Sequence, residues 1–201
     1  MVLHEMMHGY VSYWLGDDTA LEHGRLSLNP LRHIDPFLTV LLPLFLAVTG
    51  ALTGAPLPLF GAAKPVPFNP NNVKGGEWGA ALVAIAGPLT NLILAFIVFG
   101  FWTFLGAPTV GLGYTICQAF ILVNLGFFAF NLIPIPPLDG SRVLYALAPD
   151  FIRRGMEIIE RGGLLVILAI VLIASSFITQ LIGVIDDAVL GLFNDFFSLF
   201  V

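Results

Sequence analysis

His4, Glu5 and His8 stand at the spacing of the HExxH zinc-binding pattern. Two histidines four residues apart on a helix lie one turn apart on the same face, so both rings can reach one metal ion. Glu5 lies beside that face, where its carboxylate can accept a proton from a water on the metal. The spacing therefore indicates zinc-dependent hydrolysis, with His4 and His8 as ligands and Glu5 as the catalytic base.

A catalytic zinc ion needs a third protein ligand and keeps one position for water. Three candidates lie in the polar loop after the metal helix: His23, His33 and Asp35. For His33 we favour a loop histidine that binds backbone, and for His23 a solvent-exposed one. The fourth candidate, Asp139, ends a proline-rich break at 133–140 beside an apolar helix, where an ionisable group is costly and is therefore a functional candidate. The alternative is that Asp139 caps the next helix.

The composition places these residues in a membrane. Hydrophobic residues make up 58% of the chain and charged residues 10%, against about 25% charged in a soluble domain. Apolar runs at 79–106, 111–133 and 163–182 are near or above the ~20 residues that span a bilayer as helix. We therefore predict an all-α polytopic membrane protein, a transmembrane helical bundle in contact with the lipid bilayer.

The net charge argues against a nucleic-acid partner, and the number of cysteines excludes an internal disulfide. The net charge is −5 and the few basic residues form no dense patch, so no nucleic-acid partner is expected. Cys117 is the single cysteine, which excludes an internal disulfide.

The chain reads as one domain, 1–201, without repeats. Helical segments are predicted at 1–16, 79–106, 111–132 and 163–182, and 184–201 either crosses the membrane or lies at its surface. Polar or irregular segments are predicted at 17–36, 62–78 and 133–162. Segment 37–61 is apolar but interrupted by proline and glycine.

The basic residues predict the topology. All eight fall in the three polar segments: Arg25, Arg32, Lys64, Lys74, Arg142, Arg153, Arg154 and Arg161. The positive-inside rule places these segments in the cytoplasm and the uncharged loop 106–111 outside. A single crossing by 37–61 would put Lys64 and Lys74 on the wrong side. We therefore predict that 37–61 is re-entrant, entering the membrane and returning, with its backbone packed against protein or lining a cavity.

Only three residues precede His4. A metal helix inside a membrane should have further turns on both sides of its ligands. We expect residues upstream of Met1 to complete this helix and to add a transmembrane segment before it; the alternative is a short native N-terminus.

Several motifs, in order along nearly the whole chain, resemble those of the site-2 proteases, a family of intramembrane zinc metalloproteases. They are the HExxH of residues 4–8, a GPxxN element ending at Asn91, and an NxxPxxxLDG element from Asn131 to Gly140. Residues 24–36 and 65–70 resemble loops of the minimal subgroup, which lacks PDZ and CBS domains.

The resemblance implies an integral, multi-pass protein of a prokaryotic cell membrane with its active site toward the cytoplasm. It implies an endopeptidase that cleaves within or near a transmembrane helix of a membrane-protein substrate. The implied roles are zinc ligation by His4, His8 and Asp139, base catalysis by Glu5, and contact with the substrate backbone or oxyanion by Asn131 and Asn91.

Two other classes remain as alternatives. One is a membrane zinc protease of unrelated fold acting on soluble or misfolded chains; the Asp139 element disfavours it, since such enzymes usually take a glutamate ligand from a later helix. The other is a metal-binding transporter without hydrolysis. Glu5 disfavours it, because a site without hydrolysis has no need of that base.

Overall fold

A computed structural model describes residues 1–54, 63–163, 165, 166, 169 and 173–200. In these residues it contains helices and turns and no β-strand. The α-helices, which we number in chain order, are α1 Val2–Trp14, α2 Thr19–Glu22, α3 Leu42–Thr53, α4 Gly76–Phe104, α5 Leu112–Asn131, α6 Gly140–Leu147, α7 Asp150–Arg161 and α8 Ser175–Phe197. A 3₁₀ turn at Pro30–His33 and a π-helical turn at Pro36–Leu41 precede α3.

Among the described residues, three helices are long and apolar enough to cross a membrane: α4, α5 and residues Ser176–Phe197 of α8. Their 29, 20 and 22 residues meet the ~20 residues that span the hydrocarbon core at a rise of about 1.5 Å per residue. The all-α membrane class predicted from composition is confirmed.

Helix α4 is the centre of the bundle and packs against α1, α5, α6 and α8. Helix α1 runs antiparallel to it. His4 near the start of α1 lies beside Asn91, His8 lies beside Val83, and Leu15 just after α1 accepts a hydrogen bond from the Lys74 amide at 2.8 Å. The metal helix is thus held along its length by the first half of the longest apolar helix.

Helix α8 covers the far half of α4 and α5 with aromatic side chains. Phe193 and Phe197 are buried against Phe96 and Phe99. A Cβ at Gly100 would lie 2.7 Å from Phe197 Cε1, so glycine permits this close packing.

From the sequence, the C-terminal part of the chain was predicted to form a helix at 163–182 and a separate segment at 184–201. The structure has one continuous helix through both parts, Ser175–Phe197. Apolar residues that recur every four positions, at Val189, Phe193 and Phe197, continue the buried face to the helix end. Residues 164, 167, 168 and 170–172 lie outside the described residues, so the beginning of the predicted helix is not tested.

The apolar excursion at 37–61 leaves and returns at one place. Its first two thirds are helical, at Pro36–Leu41 and Leu42–Thr53, and residues 55–62 lie outside the described residues. After the excursion, the Lys64 amide donates to the His33 carbonyl at 2.8 Å. The two ends therefore meet, and the predicted entry into the membrane and return from it stay a prediction.

Candidate metal centre

Three side chains from distant parts of the sequence converge on one point. His4 Nε2 lies 3.1 Å from His8 Nε2 and 3.2 Å from Asp139 Oδ2. His8 Nε2 lies 3.4 Å from the same oxygen. Ligands about 2.0–2.1 Å from a tetrahedral zinc ion lie roughly 3.3–3.4 Å from one another. The three atoms thus have the spacing of one face of a zinc tetrahedron, which leaves a fourth corner for water.

Helix α1 presents both histidines to α4. His4 and His8 are 6% and 9% exposed, and His8 donates its Nδ1–H to the Val83 carbonyl at 2.7 Å. That bond fixes the ring so that Nε2 faces the metal position. Gly87 lies under both rings, and a Cβ there would come within 2.7 Å of His4 Cε1 and still closer to His8.

Asp139 reaches the histidines because the chain turns sharply after α5. At Gly140 a Cβ would overlap the carbonyl of Leu132, so glycine allows α6 to begin directly against the end of α5. Asp139 occupies the N-cap position of α6, but its side chain makes no cap hydrogen bond to that helix. It points instead at His4 and His8, so the capping alternative is wrong.

Glu5 lines the same cleft, a cavity of about 420 Å³. Residues 63–69, which we call the strap, run without regular secondary structure along its other side. The Val66 amide of the strap donates to Glu5 Oε2 at 3.1 Å.

Two buried charged side chains hold the strap at its ends. Arg25, only 8% exposed, donates to the carbonyls of Lys64 and Pro65, each at 3.1 Å. Asp17, fully buried, accepts from the Asn69 amide at 2.7 Å. Both charges therefore bind main-chain groups of the strap.

Comparison with known proteins identifies the family. A scan against models of protein families gives no match, and a search of solved structures gives no significant match. The chain is, however, 38% identical over 209 residues to "Putative zinc metalloprotease YwhC" of Bacillus subtilis (strain 168), covering 98% of this chain and 88% of that protein.

The chain belongs to this zinc metalloprotease family.

More distant members of the zinc metalloprotease family match shorter parts. Rip2 of Mycolicibacterium smegmatis is 25% identical over 172 residues, 86% of this chain and 63% of the relative. Rip2 of Mycobacterium tuberculosis (strain H37Rv) is 31% identical over 149 residues, 72% of this chain and 52% of the relative.

The zinc ion that the family name implies fits the donor set. Two imidazole nitrogens and one carboxylate oxygen are ligands that zinc accepts, and three protein ligands with an open position are usual for a catalytic zinc site. Among the residues that the structure describes, His4, His8 and Asp139 are the group of three such side chains close enough to share an ion.

The alternative ligands lie elsewhere. His23 is exposed and bonds the Thr19 carbonyl through Nδ1 at 2.8 Å. His33 is buried, and its Nε2–H donates to the Ser27 carbonyl at 2.8 Å. Asp35 accepts from the Phe37 amide. Each binds backbone of its own loop.

The two asparagines predicted to contact substrate occupy different places. Asn131 lines the cleft, and its Nδ2 donates to the Phe127 carbonyl at 3.0 Å. Asn91 is 1% exposed, and its Nδ2 lies 3.2 Å from His4 Nδ1. Asn91 therefore lies behind a metal ligand.

Residues 24–36 and 65–70 stood out in the sequence only as loops that resemble those of the minimal subgroup, so neither the strap nor its anchors was predicted. Val66, Arg25 and Asp17 belong to no recognisable catalytic motif. A further signal was the rarity of charge, because a chain with only 10% charged residues has few charges to place in buried positions.

Proposed function

We propose that this metalloprotease is an intramembrane zinc endopeptidase of the site-2 protease type. Its substrate is a membrane protein, cleaved within or next to a transmembrane helix. The observation that carries the proposal is the ligand triangle of His4, His8 and Asp139 built against an apolar helix long enough to cross a membrane.

The depth of the ligands along α4 supports this proposal. Gly87, which touches both histidine rings, lies 11 residues after Gly76, the first residue of α4. At 1.5 Å per residue this is about 16 Å from the start of the helix. A peptide bond brought to this depth would lie inside the hydrocarbon layer.

The side chains of the cleft divide the work of hydrolysis. Zinc, when bound, supplies a Lewis acid that polarises the scissile carbonyl and acidifies water. Glu5 accepts the proton of the attacking water and then delivers it to the leaving amine nitrogen. His4, His8 and Asp139 would hold the ion, and the amide of Asn131, which lines the cleft, would donate to the developing oxyanion.

The distribution of basic residues supports a membrane topology for the proposed protease. The strap, the Lys74 loop and the α6–α7 region carry basic residues and face the cytoplasm under the positive-inside rule. The cleft opens beside the strap. Water and substrate would therefore reach the site from the cytoplasmic side of a multi-pass membrane protein.

The test is cleavage of a reporter whose only scissile region is a transmembrane helix, in proteoliposomes. The wild-type protein and Glu5→Gln are compared, with zinc content measured on both. We expect cleavage by the wild type and at least ~10²-fold slower cleavage by Glu5→Gln, because the amide cannot accept the proton, with zinc content unchanged.

Two results would point elsewhere. Cleavage of soluble unfolded chains but not of the membrane-embedded reporter would favour a membrane protease of other specificity. Full zinc content without cleavage of either substrate by the wild type would favour a non-hydrolytic metal-binding protein.

A further inference from the structure

The Asn91 side chain is enclosed in the protein and directed at one atom. It is 1% exposed, and its amide nitrogen lies 3.2 Å from His4 Nδ1. Among the described residues its Oδ1 is buried without a hydrogen-bond partner. A buried amide oxygen without a partner costs free energy, so its place beside a metal ligand calls for a reason.

The protonation of His4 supplies the reason. His4 faces the metal position with Nε2, the atom nearest Asp139 and His8. A neutral imidazole that gives Nε2 to a metal carries its proton on Nδ1 and must donate that proton to an acceptor. Rotation of the Asn91 amide by 180° exchanges its oxygen and nitrogen without changing its shape, and brings the unpartnered Oδ1 onto Nδ1–H.

We propose that Asn91 is a positioning residue for zinc: its Oδ1 accepts the Nδ1–H of His4 and holds Nε2 of that ring toward the ion. The proposal rests on zinc ligation by His4, which belongs to the proposed function, and it assigns to Asn91 a role other than contact with substrate.

The second histidine shows the same arrangement from the same helix. Val83, Gly87 and Asn91 lie four residues apart on α4, so they share one face. Val83 gives His8 its acceptor, its main-chain carbonyl, and Gly87 gives both rings room. His4 lies one turn further along, beyond reach of the Val83 carbonyl, and Asn91 provides its acceptor. The GPxxN element thus forms the support of the metal site on this face of α4.

Zinc affinity tests the proposal without any substrate. It is measured on purified protein in detergent by competition with a chromophoric chelator. Asn91→Leu keeps the volume but removes the acceptor, and we expect it to weaken zinc binding about 10- to 100-fold, as loss of a ligand's hydrogen-bond partner typically does. Asn91→Asp keeps an acceptor, so its affinity should stay within about threefold of the wild type, or be tighter, by the same principle.

The chain offers a matched control in Asn124. It is also a buried asparagine on an apolar helix, 7% exposed, but its Nδ2 donates to the Phe120 carbonyl of its own helix. Asn124→Leu should leave zinc affinity within about threefold of the wild type, since it changes no ligand partner. If Asn91→Leu does not fold, Asn91→Ala replaces it, because a smaller side chain can only leave space.

The outcomes separate the possible roles of Asn91. Weaker zinc binding by Asn91→Leu, rescue by Asn91→Asp and a silent Asn124→Leu support the proposal. Unchanged zinc affinity of Asn91→Leu with slower cleavage would overturn it in favour of substrate contact. An equal loss of zinc affinity in Asn91→Leu and Asn124→Leu would overturn the proposal, because it would show that both asparagines act only through packing. A wild-type protein that binds no zinc would overturn the proposed function as well.

Discussion

At the scale of single residues, the metal centre depends on how closely α1 approaches α4. The two histidine rings lie directly on Gly87, so the distance between the helices is set by the absence of a side chain there. Asp139 then completes the site from a third element. Two substitutions examine these contributions separately.

Gly87→Ala should destabilise the protein and weaken zinc binding. The new methyl group would overlap the rings of His4 and His8, and overpacking of this kind costs about 1–3 kcal/mol. Thermal unfolding and zinc affinity are the measurements. Gly126→Ala is the control, because a Cβ there meets nothing within 4 Å and alanine is favoured over glycine in a helix. Equal melting temperatures for the two variants would contradict the tight contact.

Asp139→Ala should lower the zinc content from about one ion per chain, since one of three protein ligands is lost. Elemental analysis of protein purified without added metal measures this. Asp35→Ala is the control, an aspartate that bonds its own loop and should keep its zinc. Undiminished zinc in Asp139→Ala would remove Asp139 from the ligand set.

At the scale of elements, the strap links two loops to the catalytic base. Val66 binds Glu5, while Arg25 and Asp17 fix the strap at Pro65 and Asn69. The strap itself has no regular secondary structure. Its position along the cleft therefore depends on a few long-range hydrogen bonds to the charged side chains of Arg25 and Asp17.

Arg25→Gln should loosen the strap and slow cleavage while zinc is retained. Hydrogen bonds to a charged group contribute about 1.5–3 kcal/mol each, and glutamine cannot reach all three carbonyls that Arg25 binds, those of Arg32, Lys64 and Pro65. Limited proteolysis within 63–69 and cleavage rates measure the effect. Arg32→Gln is the control, because Arg32 is exposed and its side chain donates to the Gly24 carbonyl. Protection of the strap as complete as in the wild type would contradict the anchoring role.

The second anchor of the strap, Asp17, should make the stability of the protein depend on pH. Burial would raise the pKa of Asp17, but hydrogen bonds from Thr19 and Asn69 hold it below the usual 3.8. A carboxyl whose pKa is lowered by folding stabilises the folded state above its unfolded pKa, and this contribution is lost as pH falls through the lowered value. The melting-temperature gap between wild type and Asp17→Asn should therefore be full at pH 5–7 and shrink below about pH 4.

The control for this measurement is Asp150→Asn, whose side chain is 87% exposed. The melting temperature of Asp150→Asn should differ little from that of the wild type at every pH. A gap for Asp17→Asn that stays constant down to pH 3 would show that the charge of Asp17 does not hold the strap.

At the scale of the whole molecule, the described loops divide between the two ends of α4. Leu15 and Lys74 lie close to its first residue, and the turn at 105–111 follows its last. The loop at the first end carries the basic residue Lys74, and the turn at the other end carries no charge. The bundle is therefore polarised in charge along the direction in which α4 would cross a membrane.

Cysteine labelling tests this polarity. In a Cys117→Ser background, Lys74→Cys should react with a membrane-impermeant reagent only from the cytoplasmic side, and Thr109→Cys only from the outside, by the positive-inside rule. Intact cells and inverted vesicles provide the two directions. Labelling of position 74 from the outside would mean that segment 37–61 crosses the membrane completely.

The local parts of this structure could be predicted, and the long-range parts could not. Helices α4 and α5 fall within three residues of the predicted 79–106 and 111–132, because long apolar runs ended by glycine and proline define them. The HExxH spacing predicts two metal ligands, because His4 and His8 lie one helical turn apart. The partner of Asn91 lies 87 residues away, and Arg25 binds carbonyls 39 and 40 residues away. No pattern along the chain specifies such pairs.

The hydrogen bond between Lys64 and His33 has a consequence for how this architecture can vary. It closes the neck of a thirty-residue excursion whose two ends are fixed beside the metal cleft. The entropy of closing a loop grows only slowly with its length, by about 0.6 kcal/mol for each doubling. A change of length inside the excursion therefore costs little loop-closure entropy so long as the neck is kept. Its main constraint is the packing of α3, where Leu42 and Leu46 are buried, so related chains should differ in length outside that helix.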